Sequence, residues 1–195
     1  MDKGDKLKAL HKKWMEECEC ELKKTATQAV PGAGSAEAEI VFIGEAPGKS
    51  EDKLGVPFVG AAGKFLDEML GIINLKREDI YITNIVKYRP PDNRDPLPAE
   101  KSACREWLLD ELKIISPKLI IFLGRHAMNN FFPELQISGA HGKLLIKPFK
   151  GMSTKYFFPL YHPAAALYDG SMREVLIQDF KKIPKVLKEI EKREP

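Results

Sequence analysis

Short apolar runs alternate with amphipathic segments along most of the chain. Four apolar runs predict buried strands, at 39–44, 80–83, 118–123 and 155–160. Segments in which apolar residues recur every three or four positions predict helices, at 1–24, 61–73, 98–116, 125–132 and 172–192. Strands that are separated by helices indicate an α/β protein with a parallel sheet covered by helices on both faces.

The remaining segments predict less regular structure. Residues 25–37 are rich in Ala, Gly, Pro and Ser, which predicts a surface loop. Residues 143–148 predict an edge strand or ribbon, and the charged C-terminal helix is expected to be exposed. Since the length suits one domain, we expect a single domain over 1–195. In this domain, residues 1–37 form an N-terminal helix and loop, and residues 38–195 form the α/β core.

Composition narrows the class of protein only slightly. Hydrophobic residues make up 44% of the chain, and the formal charge of +3 is compatible with DNA binding without arguing for it. No apolar run is long enough to span a bilayer, and residues 1–13 lack the apolar stretch of a signal peptide. The odd number of cysteines does not indicate a disulfide framework. We expect a cytoplasmic monomer that does not bind membranes.

Unusual residues follow three of the predicted strands. The segment Gly44–Gly48 follows the first strand, Asn84 follows the second, and His162 with Pro163 follows the last. In open parallel sheets, ligands bind beyond the carboxyl ends of the strands. We therefore expect these polar groups to converge on one edge of the sheet.

A glycine-rich segment covers residues 44–70. Gly60 and Gly63 stand at the start of a predicted helix, whose free N–H groups favour a phosphate. The spacing fits neither a Walker loop nor the glycine pattern of dinucleotide-binding folds. On glycine content alone, a structural turn that leads into a helix explains the segment equally well.

The complete segment 44–70 resembles the first motif of the family-4 (type-4) uracil-DNA glycosylases. Residues 81–100 resemble the second block of that family, residues 118–124 the strand that follows it, and His162-Pro163 its late motif. These blocks cover most of residues 39–168 in the family's order. The resemblance implies a three-layer α/β/α fold with a central four-stranded parallel sheet.

The resemblance also implies an enzyme that hydrolyses the N-glycosidic bond of uracil in single- or double-stranded DNA and so starts base excision repair. A relative of the family attaches covalently to DNA through a histidine in an inserted loop. The corresponding stretch here, Arg89–Leu97, contains no histidine, which favours turnover. The alternatives are a catalytically weak or covalent uracil-DNA binding protein and an unrelated nucleotide-binding domain.

The resemblance assigns roles to single residues. Phe58 stacks on the extruded uracil, Asn84 recognises the edge of the base, and His162 donates a hydrogen bond to the departing uracil. Either Glu45 or Glu51 orients the attacking water; Glu45 is preferred, and Glu51 is then expected to exclude the methyl group of thymine. The site also includes Gly44 and Ala46 beside the base, and Gly60, Gly63, Arg89 and the apolar wedge Leu167 beside the DNA.

Members of the family carry a [4Fe–4S] cluster that is held by four cysteines and takes no part in bond cleavage. Cys104 and Cys20 match two of these positions, Cys18 is displaced by one residue, and Tyr88 stands at the remaining position. A phenol, with a pKa of about 10, is a poor substitute for a thiolate. We expect a site that has lost its metal; the alternative is a cluster with three cysteines and one foreign ligand.

Overall fold

Six strands form one sheet in the computed structural model, which describes residues 1–193. The strands are β1 (Ala33–Gly34), β2 (Ile40–Gly44), β3 (Tyr81–Asn84), β4 (Leu119–Leu123), β5 (Leu145–Ile146) and β6 (Tyr156–Leu160). Their order across the sheet is β1-β3-β2-β4-β6-β5. The four central strands are parallel, which confirms the prediction, and the short edge strands β1 and β5 are antiparallel to their neighbours.

Helices cover both faces of the sheet. They are α1 (Lys3–Glu17), α2 (Lys49–Leu54), α3 (Ala61–Ile72), α4 (Pro98–Ile115), α5 (Arg125–Asn129), α6 (Ile137–Ala140), α7 (Ala165–Tyr168), α8 (Gly170–Phe180) and α9 (Ile183–Arg193). Within residues 1–193, none of these helices combines the length and the apolar character that crossing a bilayer requires.

Alternate residues of each central strand point to opposite faces and build two apolar cores. On one face, Phe42 packs with residues of α3, α8 and α9. On the other face, Val41 and Ile43 pack with residues of α1, α4 and α5. Helices cover both faces of the sheet, so all five residues of each of β2, β4 and β6 are buried. This burial explains why their sequences are continuous apolar runs. The three-layer α/β/α prediction is therefore confirmed.

The structure corrects several boundaries. The first helix ends at Glu17 and is followed by a 3-10 turn over Glu21–Lys24, so the predicted helix 1–24 was too long. The predicted loop 25–37 contains β1. The predicted C-terminal helix is divided into α8 and α9. Pro184 lies in the first turn of α9 and has no N–H to continue α8, which explains the break.

The C-terminal helix was also predicted to be exposed, and this was wrong. Ile183, Val186 and Ile190 of α9 are buried against the sheet, while the charged residues of the helix lie on its outer side. The last residue of the predicted domain, at position 195, lies outside the described residues.

A buried ion pair joins α1, β3 and α4. The Lys87 Nζ lies 2.6 Å from Glu111 Oε2, and both side chains are 0% exposed. Glu111 also accepts hydrogen bonds from Thr83 Oγ1 at 3.0 Å and from Tyr81 Oη at 3.3 Å. His11 of α1 contacts the same carboxylate at 3.1 Å. Burial alone would raise the pKa of Glu111, but Lys87 and His11 outweigh it and lower the pKa to about 2.

We predict that Glu111→Gln lowers the free energy of unfolding by about 3–5 kcal/mol, because it leaves the Lys87 ammonium buried without a counter-charge. Urea denaturation at pH 7 measures this loss. Asp110→Asn is the matched control, since it removes an exposed charge from the same helix, and it should change stability by less than about 0.5 kcal/mol.

The folded-state pKa of Glu111 lies below its ordinary value, so its contribution to stability is present above about pH 4.5 and is lost as the pH falls towards 2. The difference between the parent and Glu111→Gln should therefore shrink below pH 4. A difference that stays constant down to pH 2.5 would contradict the assignment of the charge.

Candidate active site

A cavity of about 340 Å³ opens at the carboxyl ends of β2, β3 and β6. This volume is typical of small-molecule sites. The predicted residues that line it are Glu45, Ala46, Glu51, Phe58, Asn84 and His162. The structure thus brings together the polar groups that follow the three strands. It adds Arg94, together with Asn93 and Asp95, which sequence reasoning did not place at the site.

Asn84 lies at the floor of the cavity as the last residue of β3, directly beside Gly44 of β2. Its side chain is 2% exposed, and its Oδ1 has no hydrogen-bond partner within the described part of the chain. A buried oxygen without a partner costs about 1–3 kcal/mol, so such an atom is typical of a group that binds a ligand. A side chain at Gly44 would collide with this oxygen and with the Phe58 ring, and only glycine fits there.

The Phe58 ring forms one wall of the cavity. Its centroid lies 5.7 Å from that of His162, with the ring planes tilted by 30°. The backbone of Phe58 has a φ of +54°, in the left-handed region that bulky residues rarely adopt. Arg77 holds this turn by donating hydrogen bonds to the carbonyl oxygens of Phe58 and Pro57. A side chain at Gly63 would collide with the Phe58 carbonyl, so this glycine permits the turn.

His162 is a neutral hydrogen-bond donor. Burial lowers its pKa to about 4, although the charge of Glu51 opposes this shift. The backbone N–H of Ala164 donates a hydrogen bond to His162 Nδ1 at 3.1 Å. Because Nδ1 accepts this bond, the proton of the neutral ring lies on Nε2. His162 can therefore offer an N–H to a ligand without carrying a charge.

Glu51 organises the loop between β2 and α3. Its Oε1 accepts hydrogen bonds from the N–H groups of Val59 and Gly60, both at 2.8 Å, and its Oε2 accepts one from Gly48 at 3.1 Å. The N–H of Gly60, which we expected to bind a phosphate, is therefore occupied by a protein carboxylate. With three backbone donors on its oxygens, Glu51 holds this loop in place.

Glu45 is the other candidate carboxylate, and it also lines the cavity. It follows β2 directly, and its side chain is 26% exposed. Burial, together with the charge of Asp95, raises its pKa to about 7, while Lys101 and Arg125 act in the opposite direction. The carboxylate therefore exchanges its proton near neutral pH.

Glu45, Asp95 and His126 are the one group of three ligand-type side chains, among residues 1–193, whose donor atoms all lie within 4.8 Å of one another. Two cations already lie against this group. Arg125 contacts Asp95 at 3.4 Å, and Lys101 Nζ lies 3.5 Å from His126 Nδ1. Since these cations compensate the carboxylates, we assign no metal ion here.

The three cysteines lie together in a separate buried cluster with Tyr88 and Trp14. Hydrogen bonding from Cys104 lowers the pKa of Cys18 to about 6, although burial opposes it. Burial and the neighbouring cysteines raise the pKa of Tyr88 to about 12, so the phenol stays protonated. Three cysteines and a neutral phenol do not supply the four thiolates that hold a [4Fe–4S] cluster of this type.

Two predicted DNA-binding residues, Leu167 and Arg89, lie in segments that also contribute lining residues to the cavity. Leu167 and Tyr168 of α7 follow the His162-Pro163 loop and are 44% and 90% exposed. Exposure of two adjacent large side chains is typical of a surface that contacts a partner. Arg89 donates a hydrogen bond to Asn93 Oδ1 at 2.7 Å and so holds a residue of the cavity.

Comparison with known proteins identifies the family. Residues 31–189 match the sequence profile of the uracil DNA glycosylase superfamily, and the chain belongs to this superfamily. It is 50% identical to the type-4 uracil-DNA glycosylase of Archaeoglobus fulgidus, over 84% of each chain. It is 48% identical to that of Sulfurisphaera tokodaii, over 84% of this chain and 77% of the relative, and 39% identical to that of Thermotoga maritima, over 87% and 88%.

We predict that His162 titrates with a pKa of about 4 and is protonated on Nε2 above that value, since burial disfavours the imidazolium and Ala164 occupies Nδ1. Nitrogen-15 NMR of the histidine ring measures both properties, with the signal assigned through its loss in His162→Gln. A midpoint near 6.5, or a proton on Nδ1, would contradict the description of His162 as a neutral donor.

Proposed function

We propose that this protein hydrolyses the N-glycosidic bond of uracil in DNA and thereby starts base excision repair. The observation that carries this proposal is the arrangement of Asn84, Phe58 and His162 around one cavity: a buried amide, a flat ring and a neutral N–H donor. The type-4 relatives, which are named uracil-DNA glycosylases, support the same substrate.

The cavity suits an extruded uracil. Uracil offers an N3–H donor and an O4 acceptor, and the amide of Asn84 offers the complementary acceptor and donor. Cytosine reverses both groups and leaves the buried amide without matching partners, which opposes its binding. Phe58 supplies the face on which the base stacks, with a contribution of about 1–3 kcal/mol. The strained turn of Phe58 fixes this face before the base arrives.

Bond cleavage transfers the electron pair of the bond between the sugar C1′ and uracil N1 to the base. The Nε2–H of His162 stabilises the negative charge that develops on uracil O2. One water forms a new bond from its oxygen to C1′ and gives a proton to the Glu45 carboxylate, as carboxylates do in other glycosyl hydrolyses. Glu45 must be ionised for this step, and its pKa of about 7 keeps a substantial ionised fraction at neutral pH.

The exposed apolar residues of α7 are suited to extruding the base from the duplex. A base inside a duplex cannot be reached, so the enzyme must extrude it and fill the gap. We assign this role to Leu167, which is exposed on α7 three residues after the lining residue Ala164, with Tyr168 exposed beside it. We propose that the enzyme acts as a monomer on uracil in single- or double-stranded DNA.

We predict that substoichiometric protein converts a labelled uracil oligonucleotide to abasic product, which alkali cleaves, and that His162→Ser slows single-turnover excision about 100- to 1,000-fold without weakening DNA binding. Gel electrophoresis and fluorescence anisotropy measure the two effects. No product at any protein concentration would refute the proposal. A protein–DNA band that survives denaturation would support the covalent alternative.

Asn84→Asp should impair uracil excision, because the carboxyl group cannot present the same donor and acceptor pair. Asn74→Asp is the matched control, since Asn74 is exposed and lies outside the cavity, and it should retain the parental rate. Parental excision of uracil by Asn84→Ala would remove Asn84 from base recognition.

We further propose that the chain works without an iron–sulfur cluster. The neutral Tyr88 phenol and the close packing of Cys18, Cys20 and Cys104 around Trp14 support this proposal. We predict that anaerobically purified protein is colourless, contains no iron or sulfide and excises uracil. Brown protein with about four irons per chain would overturn this proposal and leave the excision activity untouched.

A further inference from the structure

We propose that Asp95 and His126 are positioning residues for the reaction, which hold the Glu45 carboxylate in place and set the pH at which it acts. This inference rests on the proposed function. It concerns two residues to which the resemblance assigns no role: Asp95, within the block 81–100, and His126, just beyond β4.

The three side chains come from separate parts of the fold. Glu45 follows β2, Asp95 lies in the loop before α4, and His126 lies in the first turn of α5. His126 Nε2 lies 3.1 Å from Asp95 Oδ2 and 3.9 Å from Glu45 Oε1. The imidazole therefore lies between the two carboxylates, and its Nε2 also accepts a hydrogen bond from Arg125 Nε at 3.1 Å.

The charged groups around Glu45 come from every element packed against it. The loop before α4 contributes Asp95, α4 contributes Lys101, and α5 contributes Arg125 and His126. Burial lowers the pKa of His126 from its ordinary value, although Asp95 opposes this shift, so the ring carries no charge at neutral pH. Asp95 is thus the one anion in this set, and the cations Lys101 and Arg125 oppose its effect on the pKa of Glu45.

This balance decides when Glu45 can accept a proton. Burial raises the pKa of Glu45, and the negative charge of Asp95 raises it further, to about 7, while Lys101 and Arg125 lower it. A base is most effective when its pKa lies close to the working pH. Without Asp95, burial alone would oppose the two cations, so the pKa of Glu45 would fall and Glu45 would become a weaker base that is ionised at lower pH.

The test compares pH profiles of single-turnover uracil excision between pH 4.5 and 9. The parental rate should rise with a midpoint near 7, as Glu45 ionises. Asp95→Asn should move this midpoint down by roughly one unit and lower the plateau at high pH severalfold, because the carboxylate becomes less basic. Asp95→Glu retains the charge and should restore the parental midpoint.

Asp92→Asn is the matched control, because it removes an exposed acid from the same loop and should leave the profile unchanged. His126→Gln should lower the plateau while moving the midpoint less than Asp95→Asn, since the neutral ring positions Glu45 without charging it. An Asp95→Asn profile that superimposes on those of the parent and of Asp92→Asn would overturn the proposal. Equal loss of rate at every pH would also overturn it, because that result describes a structural role.

Carbon-13 NMR of labelled glutamate separates this inference from the proposed function. The Glu45 carboxyl signal, assigned through Glu45→Gln, should titrate near 7 in the parent and lower in Asp95→Asn. If the parent excises no uracil, the proposed function fails, and the NMR shift still shows whether Asp95 controls Glu45. If excision occurs and neither midpoint moves in Asp95→Asn, only the role of Asp95 fails.

Discussion

Lys87 and Glu111 form an ion pair without access to solvent, at which β3 with its following segment meets α4 and α1. Asn84 ends the strand that precedes Lys87 by three residues, and Glu111 lies on the helix that also carries Lys101 and Cys104. His11 connects α1 to the same carboxylate. Removal of either charge would leave the other buried, which is strongly unfavourable, so the pair requires β3 and α4 to keep one relative position. The position of Asn84 in the floor of the cavity follows from this constraint.

The cluster of three cysteines lies next to this ion pair, and Tyr88 links the two along the chain. Tyr88 directly follows Lys87 and lies edge-on to Trp14, with ring centroids 6.0 Å apart. Trp14 is fully buried between the cysteines and His11, and α1 therefore contacts the core through apolar packing and through the ion-pair network. A metal cluster that joins α1 to α4 would duplicate these contacts. The proposed absence of a cluster is compatible with this packing, because the buried pair and Trp14 already hold α1 against the core.

The apolar pattern was sufficient to predict the four parallel strands, because each strand is a continuous apolar run in the sequence. It also predicted the convergence of Glu45, Asn84 and His162, because the carboxyl ends of parallel strands lie at one edge of the sheet.

Other features could not be predicted in this way. Short elements such as α2, α6 and β1 have too few residues to show a period. Pro184 was a local signal for the division of the C-terminal helix. Asp95 and His126 could not be placed, since their contact depends on how α4 and α5 pack. The N–H of Gly60, which the sequence offered as a phosphate donor, instead donates to Glu51, nine residues earlier, and the sequence spacing does not reveal this contact.

Glu45 and Glu51 show how one loop gives two identical side chains different tasks. Glu51 receives three backbone N–H groups, so its oxygens are fixed and the turn that carries Phe58 is held against the start of α3. Glu45 lies six residues earlier, beside Asp95 and in partial burial, where the ionised form is disfavoured until neutral pH. Environments that separate two carboxylates in this way distinguish a structural acid from a reactive one. Sequence motifs placed both glutamates at the site, and only the contacts of the folded chain decide which of them can accept a proton from water.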